Sequence, residues 1–490
     1  MKDAGVLADL LEKQAVEFGA GDAAKANIAK LRAGARAVVT GQQVVLFGGP
    51  LLTILKAATA VARAKEATKA TGVEHVPVFW MATEDHDLEE VDQVSLLTKS
   101  SVETLRAGIK VTKAVPVGGV VVPGPGLEAV LERASELLEF APVSEWLREC
   151  YRPEGGRQPT LALAFGRLIA RIFSEQGLVV MDAASRAFHA LGTGTLRYAI
   201  EHAEELQDAL IARGEELVER GYHAQVLVAE GGSMLFLLDE ATGERVALRR
   251  SAEGQWKAGG RSYSTTELIA ILEAAPERLS PNALLRPVFQ DTVLPTAAYV
   301  GGPAEIAYFA QSAVLYEAIL GRITPVLPRL SATLLEPAIA AVMDKDEVQL
   351  PDAMTTAETL AQRLGARAMP IEGKRKLAAV GNAVETELSA LTEYLGGMDE
   401  SLGRSAEVSG SKMLYQMNRL RRMAATFELQ KEASLRKHAE AVVLNVFPGE
   451  HPQERVVAGV WFMARYGDGL VEKLVGVAGN QCPGHVVVRL

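Results

Sequence analysis

Two mostly apolar stretches near the start of the chain, each followed by polar residues, most constrain the fold. Residues 35–39 run into Thr40-Gly41-Gln42-Gln43, and Gly48-Gly49-Pro50 then precedes a helix-forming stretch. Residues 76–82 run into Thr83-Glu84-Asp85-His86-Asp87. Apolar strands separated by a helix are typical of a parallel sheet buried on both faces. Ligands of such sheets bind where strands end, so the sequence predicts an α/β fold with a site at these strand ends.

Further along the chain, two more apolar stretches extend the α/β pattern. Residues 178–182 end in a carboxylate, and residues 296–300 lead into Gly301-Gly302-Pro303 and another helix-forming stretch. A helix is predicted over residues 197–220. Short stretches of strand character then follow, joined by glycine-rich turns, and they predict a small antiparallel β insertion. These stretches are residues 224–229, 233–239, 245–250 and 256–263.

The C-terminal part has the spacing of a helical coiled coil. Apolar residues recur at alternating intervals of four and three in two successive series, with charged residues between them. The first series is Val384, Leu388, Leu391, Leu395, Met398 and Leu402, and the second is Met413, Met417, Leu420, Ala424 and Phe427. Ser409-Gly410-Ser411 separates the two series, so we predict an antiparallel helical hairpin that reverses there.

The predicted domains follow from these patterns. The α/β core is predicted over residues 1–220 and again over residues 266–372, with the β insertion between them at residues 221–265. The coiled-coil hairpin is predicted over residues 373–445. A tail over residues 446–490 is expected to pack on the core.

Composition and charge argue against several classes of protein. The 490 residues carry a formal net charge of −10 at pH 7, whereas a nucleic-acid backbone as partner needs a basic face. No apolar run reaches the roughly 18 residues of a membrane span, and the N-terminus lacks the apolar core of a signal peptide. Two cysteines, Cys150 and Cys482, are too few for a disulfide framework. We therefore expect a cytoplasmic enzyme or scaffold.

The first candidate site surrounds the glycine-rich turn. Unpaired N–H groups and the dipole at the start of a helix favour anions, and Thr53 and Lys56 lie three residues apart on one helix face. A hydroxyl and an ammonium group suit a phosphate or a carboxylate. The alternative is a tight strand–helix turn with a solvated lysine, because this is no Walker motif. The predicted binding residues are Thr40, Gln42, Gln43, Gly48, Gly49, Thr53 and Lys56.

The second candidate site is the acidic loop, whose predicted catalytic residues are Glu84, Asp85, His86 and Asp87. A buried strand that delivers so much charge needs partners for it. One interpretation is recognition of an ammonium group, with His86 as general base. A divalent metal is a second, but no other ligand cluster of clear spacing exists, so no metal ligand is assigned. The third is an acidic surface loop in which Asp87 caps a helix.

The third candidate site lies around the second Gly-Gly-Pro turn. Arg286 has the chemistry to bind a carboxylate bidentately. Glu305 lies in a first helical turn, where the dipole favours a carboxylate even without a ligand. Arg329 follows an apolar stretch, and it either binds a ligand or braces a carboxylate of the core. The predicted binding residues are Arg286, Gln290, Asp291, Tyr299, Gly301, Gly302, Glu305, Arg329 and Ser331.

Taken in order, these motifs resemble those of the bacillithiol-biosynthesis cysteine ligase family (BshC), from about residue 27 to the C-terminus. The resemblance implies a Rossmann-type core related to class I aminoacyl-tRNA synthetases, and a coiled coil that forms a homodimer. The motifs are Thr40-Gly41-Gln42-Gln43 with Leu46-Phe47-Gly48-Gly49-Pro50 and Lys56, Pro77-Val78-Phe79-Trp80 with Glu84-Asp85-His86-Asp87, Ser280-Pro281-Asn282 with Arg286-Pro287, Gly301-Gly302-Pro303 with Glu305-Ile306-Ala307-Tyr308, Pro328-Arg329-Leu330-Ser331, and Gln453-Glu454-Arg455 with Arg465-Tyr466-Gly467.

The same resemblance implies the last step of bacillithiol synthesis, in which L-cysteine is joined to the amine of glucosaminyl-malate. It also implies binding of ATP or ADP and leaves a requirement for Mg²⁺ open. Because amide formation from a free carboxylate is uphill in water, we expect ATP to activate the carboxylate. Under this hypothesis Thr53 and Lys56 hold phosphate or malate charge, Arg286 and Arg329 neutralise carboxylates, and His86 accepts the amine proton.

Two alternatives to this function stay open. One is another adenylate-forming ligase or nucleotidyltransferase on the same core, such as a pantothenate-synthetase-like enzyme. The other is a non-catalytic dimeric scaffold in which the coiled coil is the working part. The clustered polar strand ends and the acidic balance of the chain speak against the scaffold.

Overall fold

The structure is a computed structural model that describes residues 3–111, 113–122, 124–229, 231–251, 254–467, 469–480 and 484–490. Cys482 lies outside the described residues, and Cys150 is a buried free thiol. The chain forms two compact units. The first comprises the chain up to Leu96, Glu103–Ala332 and Glu454–Val486, and the second comprises Leu97–Val102, Thr333–Gln453 and Val487–Leu490.

Within the described ranges the strands form four sheets. In chain order they are β1 (Arg36–Gln42), β2 (His75–Met81), β3 (Gln93–Leu97), β4 (Val102–Arg106), β5 (Val179–Asp182), β6 (Gly232–Leu238), β7 (Arg245–Arg250), β8 (Trp256–Ala258), β9 (Arg261–Tyr263), β10 (Leu279–Pro281), β11 (Thr296–Gly301), β12 (Val326–Pro328), β13 (Ser331–Leu335) and β14 (His485–Arg489).

Helices form most of the second unit. In chain order they are α1 (Ala4–Glu17), α2 (Asp22–Arg32), α3 (Leu52–Thr71), α4 (Leu88–Val91), α5 (Gly124–Leu137), α6 (Pro142–Cys150), α7 (Leu161–Ile172), α8 (Arg186–Leu191), α9 (Thr193–Glu201), α10 (Ala203–Glu219), α11 (Thr265–Ala274), α12 (Arg286–Val293), α13 (Pro303–Leu320), α14 (Pro337–Lys345), α15 (Leu350–Ala353), α16 (Ala357–Ala368), α17 (Ile371–Met398), α18 (Glu400–Lys431), α19 (Ala433–Val446), α20 (Gln453–Val456), α21 (Gly459–Tyr466) and α22 (Gly469–Ala478). Within the described ranges, no helix is both long and apolar enough to cross a membrane.

The sheet that positions the site has five parallel strands in the order β12-β11-β1-β2-β5. Its central strands β1 and β2 are almost entirely buried, as their apolar sequences predict. β1 has β2 on one side and β11 on the other. The chain adds β2 and β5 on one side of β1 and later adds β11 and β12 on the other. The strand order therefore changes direction between β1 and β11, and the crevice at their carboxyl ends is the expected place for a ligand. The predicted α/β class with a parallel-sheet core is confirmed.

The antiparallel β insertion is present, with three differences from the prediction. The strand predicted over residues 256–263 is divided into the antiparallel pair β8 and β9. Its sheet has the order β10-β6-β7-β8-β9, so β10 joins it from beyond residue 265. Residues 224–229 form no strand, and the prediction there was wrong. Instead the buried side-chain amide of Gln311 both donates to and accepts from the backbone of Val226, at 2.9 Å each. These side-chain hydrogen bonds take the place of a strand neighbour.

The helix predicted over residues 197–220 is divided in two. α9 ends at Glu201 and α10 begins at Ala203. Between them His202 has φ of −112° and ψ of 26°, which lies outside the helical region. The prediction missed this break because the apolar periodicity continues across it.

The coiled-coil hairpin consists of α17 and α18, but it does not reverse at residues 409–411, which lie inside α18. The chain reverses at Asp399, whose carboxylate accepts hydrogen bonds from two N–H groups of the first turn of α18. Gly396 and Gly403 face each other so closely that a Cβ on Gly403 would lie 2.8 Å from the Cα of Gly396. The close approach therefore needs glycine at position 403, whereas a Cβ on Gly396 would lie at an ordinary contact distance of 3.8 Å.

A second close helix approach gives a test of this packing. In the second unit, a Cβ on Gly365 of α16 would lie 2.4 Å from the carbonyl oxygen of Ala425 in α18. Alanine usually stabilises a helix over glycine by about 1 kcal/mol, but overpacking costs about 1–3 kcal/mol. We expect Gly365→Ala to lower the melting temperature followed by circular dichroism. Gly397→Ala, which would meet nothing within 4 Å, should not lower it. Equal melting of both variants would contradict the close packing.

Candidate functional site

The carboxyl ends of the parallel strands open into a cleft of about 670 Å³ in the first unit. One wall is formed by the strand ends and the other by β6, β7 and β10 of the antiparallel sheet. The cleft therefore lies where the strand order predicts a ligand. The predicted site residues that line it are Gln42, Gln43, Lys56, Glu84, Asp85, His86, Arg286, Tyr299, Gly302, Glu305 and Arg329.

Other predicted site residues do not line the cleft. Some have structural partners instead. The hydroxyl of Thr40 donates to the carbonyl of Val300 at 2.9 Å, and the buried carboxylate of Asp291 accepts from Gln290 and Tyr316. The residues outside the cleft wall are Thr40, Gly48, Gly49, Thr53, Asp87, Gln290, Asp291, Gly301 and Ser331.

The glycine-rich turn predicted to bind an anion is buried, and its neighbouring side chains are apolar. Residues 44–47 are all buried, and the backbone N–H of Phe47 donates to the hydroxyl of Tyr151 at 3.0 Å. The N–H groups of Gly48 and Gly49 donate to carbonyls of the turn itself. Because these N–H groups are already satisfied, they are not available to an anion. The structure thus supports the alternative of a tight strand–helix turn.

Lys56 is not the solvated lysine of that alternative, because only 2% of its side chain is exposed. Its ammonium lies 2.7 Å from the carboxylate of Glu305 and also donates to the carbonyl of Gly41 and, at 3.1 Å, to the side-chain oxygen of Gln42. Burial lowers the pKa of Lys56, and the charge of Glu305 opposes that shift. The lysine is therefore committed to protein partners on three sides.

Glu305 is the hub of this arrangement. Its carboxylate also accepts hydrogen bonds from the hydroxyl of Tyr299 at 2.7 Å and from the N–H of Gly302 at 2.8 Å. Burial alone would raise its pKa, but Lys56 and these donors hold the pKa of Glu305 below its ordinary value. The pair joins α3, which follows β1, to α13, which follows β11. It therefore fixes the two strand–helix turns that border the cleft.

The acidic loop is held rigidly by its own partners. The hydroxyl of Thr83 donates to the carboxylate of Asp182 at 2.6 Å, and the amide of Gln43 donates to the carboxylate of Asp85 at 2.8 Å. Nε2 of the buried His189 lies 2.8 Å from a carboxylate oxygen of Glu84. Burial disfavours a charged His189, but Glu84 raises the pKa of His189 above its ordinary value. The loop thus presents its carboxylates to the cleft in a fixed geometry.

Arg286 is a cation of the cleft that is open to a ligand. Its guanidinium donates to the hydroxyl of Tyr308 at 2.6 Å and reaches Gln290 at 3.5 Å. Among the described residues, no carboxylate forms an ion pair with it. A partly buried guanidinium that faces a cleft with neutral partners favours a carboxylate or phosphate ligand.

The sequence left open whether Arg329 binds a ligand or braces a carboxylate of the core, and in the structure it braces a carboxylate. It forms two hydrogen bonds with the carboxylate of Glu454, at 2.7 and 3.0 Å, and both side chains are 4% exposed. Ser331 donates to the same carboxylate at 3.0 Å. The neighbouring Arg455 is exposed, lines the cleft and forms no ion pair within the described part of the chain. Arg455 was named in the tail motif but not predicted as a site residue.

The functional residue that the sequence most clearly missed is Arg245, at the start of β7. Its guanidinium lines the cleft, lies 3.7 Å over the ring of Phe236 and reaches Nδ1 of His86 at 3.3 Å. Its strand in the β insertion contains three arginines among six residues, so the local sequence did not single out Arg245. Nothing in the sequence places that insertion over the acidic loop.

The cleft carries both signs of charge. Glu84, Asp85 and Glu90 line the end near β2, where the guanidinium of Arg245 also lies, and Arg286 and Arg455 bring further positive charge. Burial and the charge of Asp87 raise the pKa of Glu90. No group of three metal-ligating side chains was found in the described ranges. The arrangement suits a ligand that carries both ammonium and carboxylate or phosphate groups.

Comparisons with known proteins agree on one family. Residues 2–330 match the N-terminal Rossmann-like domain of bacillithiol biosynthesis BshC, and residues 332–490 match its C-terminal coiled-coil domain. A Koribacter versatilis protein named "Putative cysteine ligase BshC" is 43% identical, covering 96% of this chain and 87% of its own. Proteins of that name from Solibacter usitatus and Salinibacter ruber are 34% and 33% identical, covering 93% and 99% of this chain and 84% and 89% of their own.

A solved structure described as a "putative arginyl t-RNA synthetase" from Campylobacter jejuni is also similar. It covers 97% of this chain and 99% of its own length, at 11% identity and a TM-score of 0.24. This TM-score is too low to argue from. The relation of the core to class I aminoacyl-tRNA synthetases therefore stays a prediction.

The buried pair of Lys56 and Glu305 gives a prediction about stability. Lys56→Met leaves the Glu305 carboxylate buried without its cation, and breaking a buried pair in this way costs about 3–5 kcal/mol. We expect Lys56→Met/Glu305→Gln to be less destabilised than the sum of the two single variants in thermal or urea unfolding. Additive losses would show that the two side chains are not energetically coupled.

Proposed function

Because the chain belongs to the bacillithiol biosynthesis BshC family, we propose that it is a ligase that forms an amide bond between L-cysteine and the amine of glucosaminyl-malate. The names of its relatives support the cysteine ligase activity. The glucosaminyl-malate substrate and the activation by ATP are the more specific parts of the proposal. The presence of both signs of charge in the cleft supports them.

The observation that carries the proposal is Arg286, a cleft guanidinium whose nearest partners are neutral. Malate groups and cysteine each carry carboxylate, which a guanidinium binds as a fork. The acidic loop, with Glu84 and Asp85, suits the ammonium group of cysteine or the amine of glucosamine. The cleft thus contains groups that match both kinds of charge that the substrates carry.

Activation of the carboxylate is needed because amide formation in water is uphill, and we propose ATP as its source. The glycine-rich turn at residues 48–49 is closed to phosphate, since its N–H groups are already used. Arg286 and Arg455 fit a phosphate, because they line the cleft and have no carboxylate partner among the described residues. Arg245 also lines the cleft without such a partner, but its guanidinium is used by Ser280, Pro281 and His86. Lys56 and Arg329 are occupied by Glu305 and Glu454.

The test of the function is a mass-spectrometric assay of purified protein with L-cysteine, glucosaminyl-malate, ATP and Mg²⁺, with each component omitted in turn. We expect the amide product only when nucleotide is present. Product without nucleotide would keep the ligase and remove the ATP step. ATP–pyrophosphate exchange with another acid, and no product with cysteine, would favour a different adenylate-forming ligase. No turnover of any kind would favour the scaffold.

The role of Arg286 gives a sharper prediction. Arg286→Met removes the fork but keeps an unbranched apolar stem, so kcat/KM should fall about 30- to 150-fold, the equivalent of losing about 2–3 kcal/mol of charged hydrogen bonding. The matched control is Arg278→Met. Arg278 is also partly buried, but it pairs with Glu240 outside the cleft. An Arg286→Met enzyme as active as the control would remove Arg286 from substrate binding.

We also propose that the chain is a homodimer through the hairpin of α17 and α18. In the single chain this hairpin exposes a row of large apolar side chains, which water disfavours. Leu391→Glu with Leu420→Glu places charges at two positions that are about half exposed in the single chain. We expect light scattering to give twice the chain mass for the wild type and one chain mass for the variant. An unchanged mass in the variant would contradict an interface there.

A further inference from the structure

Arg245 is fixed by the antiparallel sheet on three sides. Its Nε donates to the hydroxyl of Ser280 and its Nη2 to the carbonyl of Pro281, both at 2.9 Å, while the ring of Phe236 supports its flat face at 3.7 Å. The residue is 9% exposed. Within the described residues no carboxylate forms an ion pair with it. A guanidinium held in this way has little freedom, so the direction of its remaining N–H groups is set by the sheet.

One of those N–H groups points at His86. Nη1 of Arg245 lies 3.3 Å from Nδ1 of His86. A guanidinium has donors and no acceptor, and it does not lose its proton in a protein. Nδ1 of His86 must therefore be the acceptor, which a histidine ring can be only when it is neutral and carries its proton on Nε2.

The neighbouring carboxylate of Asp85 does not compete with Arg245 for Nδ1 of His86. Asp85 is the residue that would orient a catalytic base, because a carboxylate that accepts from Nδ1–H leaves Nε2 free to take a proton. Its carboxylate oxygen lies 3.9 Å from Nδ1 of His86, which is too far for a hydrogen bond. That oxygen instead accepts the backbone N–H of His86, at 2.8 Å. The guanidinium stands where the carboxylate of a base-orienting pair would stand.

Backbone hydrogen bonds hold the loop just before His86. The N–H of Val117 donates to the carbonyl of Asp85, and the N–H of Gly118 donates to the carbonyl of Thr83. The ring of Phe236 lies 5.9 Å from the ring of His86 and supports both partners. The pair of Arg245 and His86 therefore joins the antiparallel sheet to the acidic loop across the cleft wall.

We propose that Arg245 is a positioning residue that holds His86 as a neutral imidazole protonated on Nε2, so that His86 donates a hydrogen bond to the substrate. This inference rests on the proposed function for its substrate. It replaces the expectation that His86 is the general base. The acceptor in the substrate is an oxygen of a carboxylate or phosphoryl group. The carboxylates that line the same wall and could take the proton from the amine are Glu84, Asp85 and Glu90.

The tautomer can be measured without any activity. The protein contains eight histidines, so the His86 signals in ¹⁵N-histidine-labelled protein are assigned by their loss in His86→Gln. At a pH above the usual histidine range, we expect an unprotonated Nδ1 and a protonated Nε2 in the wild type. Arg245→Leu should shift the ring toward a mixture of both tautomers. Arg249→Leu, an exposed arginine on the same strand, should leave it unchanged. A protonated Nδ1 in the wild type would overturn the proposal.

Kinetics then separate a donor from a base. The side-chain amide of glutamine places a donor near the position of Nε2 but cannot act as a base. We expect His86→Gln to keep kcat/KM within about tenfold of the wild type, and His86→Leu to lose about 10²- to 10³-fold, as when a single oxyanion donor is removed. Arg245→Leu should lower kcat while Arg249→Leu should not. Equal inactivity of the Gln and Leu variants would restore the base and overturn the proposal.

The two experiments fail independently. If the wild-type protein makes no amide, the proposed function fails while the tautomer still tests the constraint from Arg245. If the amide forms but Nδ1 carries the proton, the function stands and the inference about His86 fails.

Discussion

The buried ion pair of Lys56 and Glu305 is the interaction on which the site depends. It joins the helices that follow β1 and β11, the two strands between which the connections of the parallel sheet diverge. A charged pair at 2% and 18% exposure is stable only if its remaining hydrogen-bonding capacity is satisfied. Gly41, Tyr299 and Gly302 supply those hydrogen bonds, and each is itself part of the cleft wall. The geometry of the cleft and the stability of the pair therefore come from the same contacts.

This pair also explains how charge is divided in the cleft. Lys56 forms an ion pair with Glu305, and Arg329 forms one with Glu454. Their positive charges are therefore used in contacts within the protein. Arg286 has only neutral partners among the described residues, and its charge is left for a ligand. An arginine that braces and an arginine that binds look alike in a sequence. They differ only in whether a carboxylate lies within reach, and for Arg329 that carboxylate is 125 residues away.

The sequence predicted features that depend on neighbouring residues and missed those that depend on distant partners. The parallel strands and the helical hairpin were predictable, because their apolar periodicity is local. The anion site at Gly48 and Gly49 was a misinterpretation, because glycines permit a buried apolar turn as readily as a phosphate loop. The reversal at Asp399 was missed because the heptad spacing runs through it, and only a capping carboxylate and two facing glycines mark it.

Arg245 shows the consequence of this limit for chemistry. The acidic loop alone predicts a histidine beside carboxylates, which is the usual arrangement of a general base. The antiparallel sheet adds a guanidinium to the other side of the ring, and a donor at Nδ1 reverses the direction of the hydrogen bond that Nε2 can make. The role of His86 is thus decided by an element inserted more than a hundred residues later in the chain. An insertion on a Rossmann-like core can in this way change what a strand-end residue does without altering that residue.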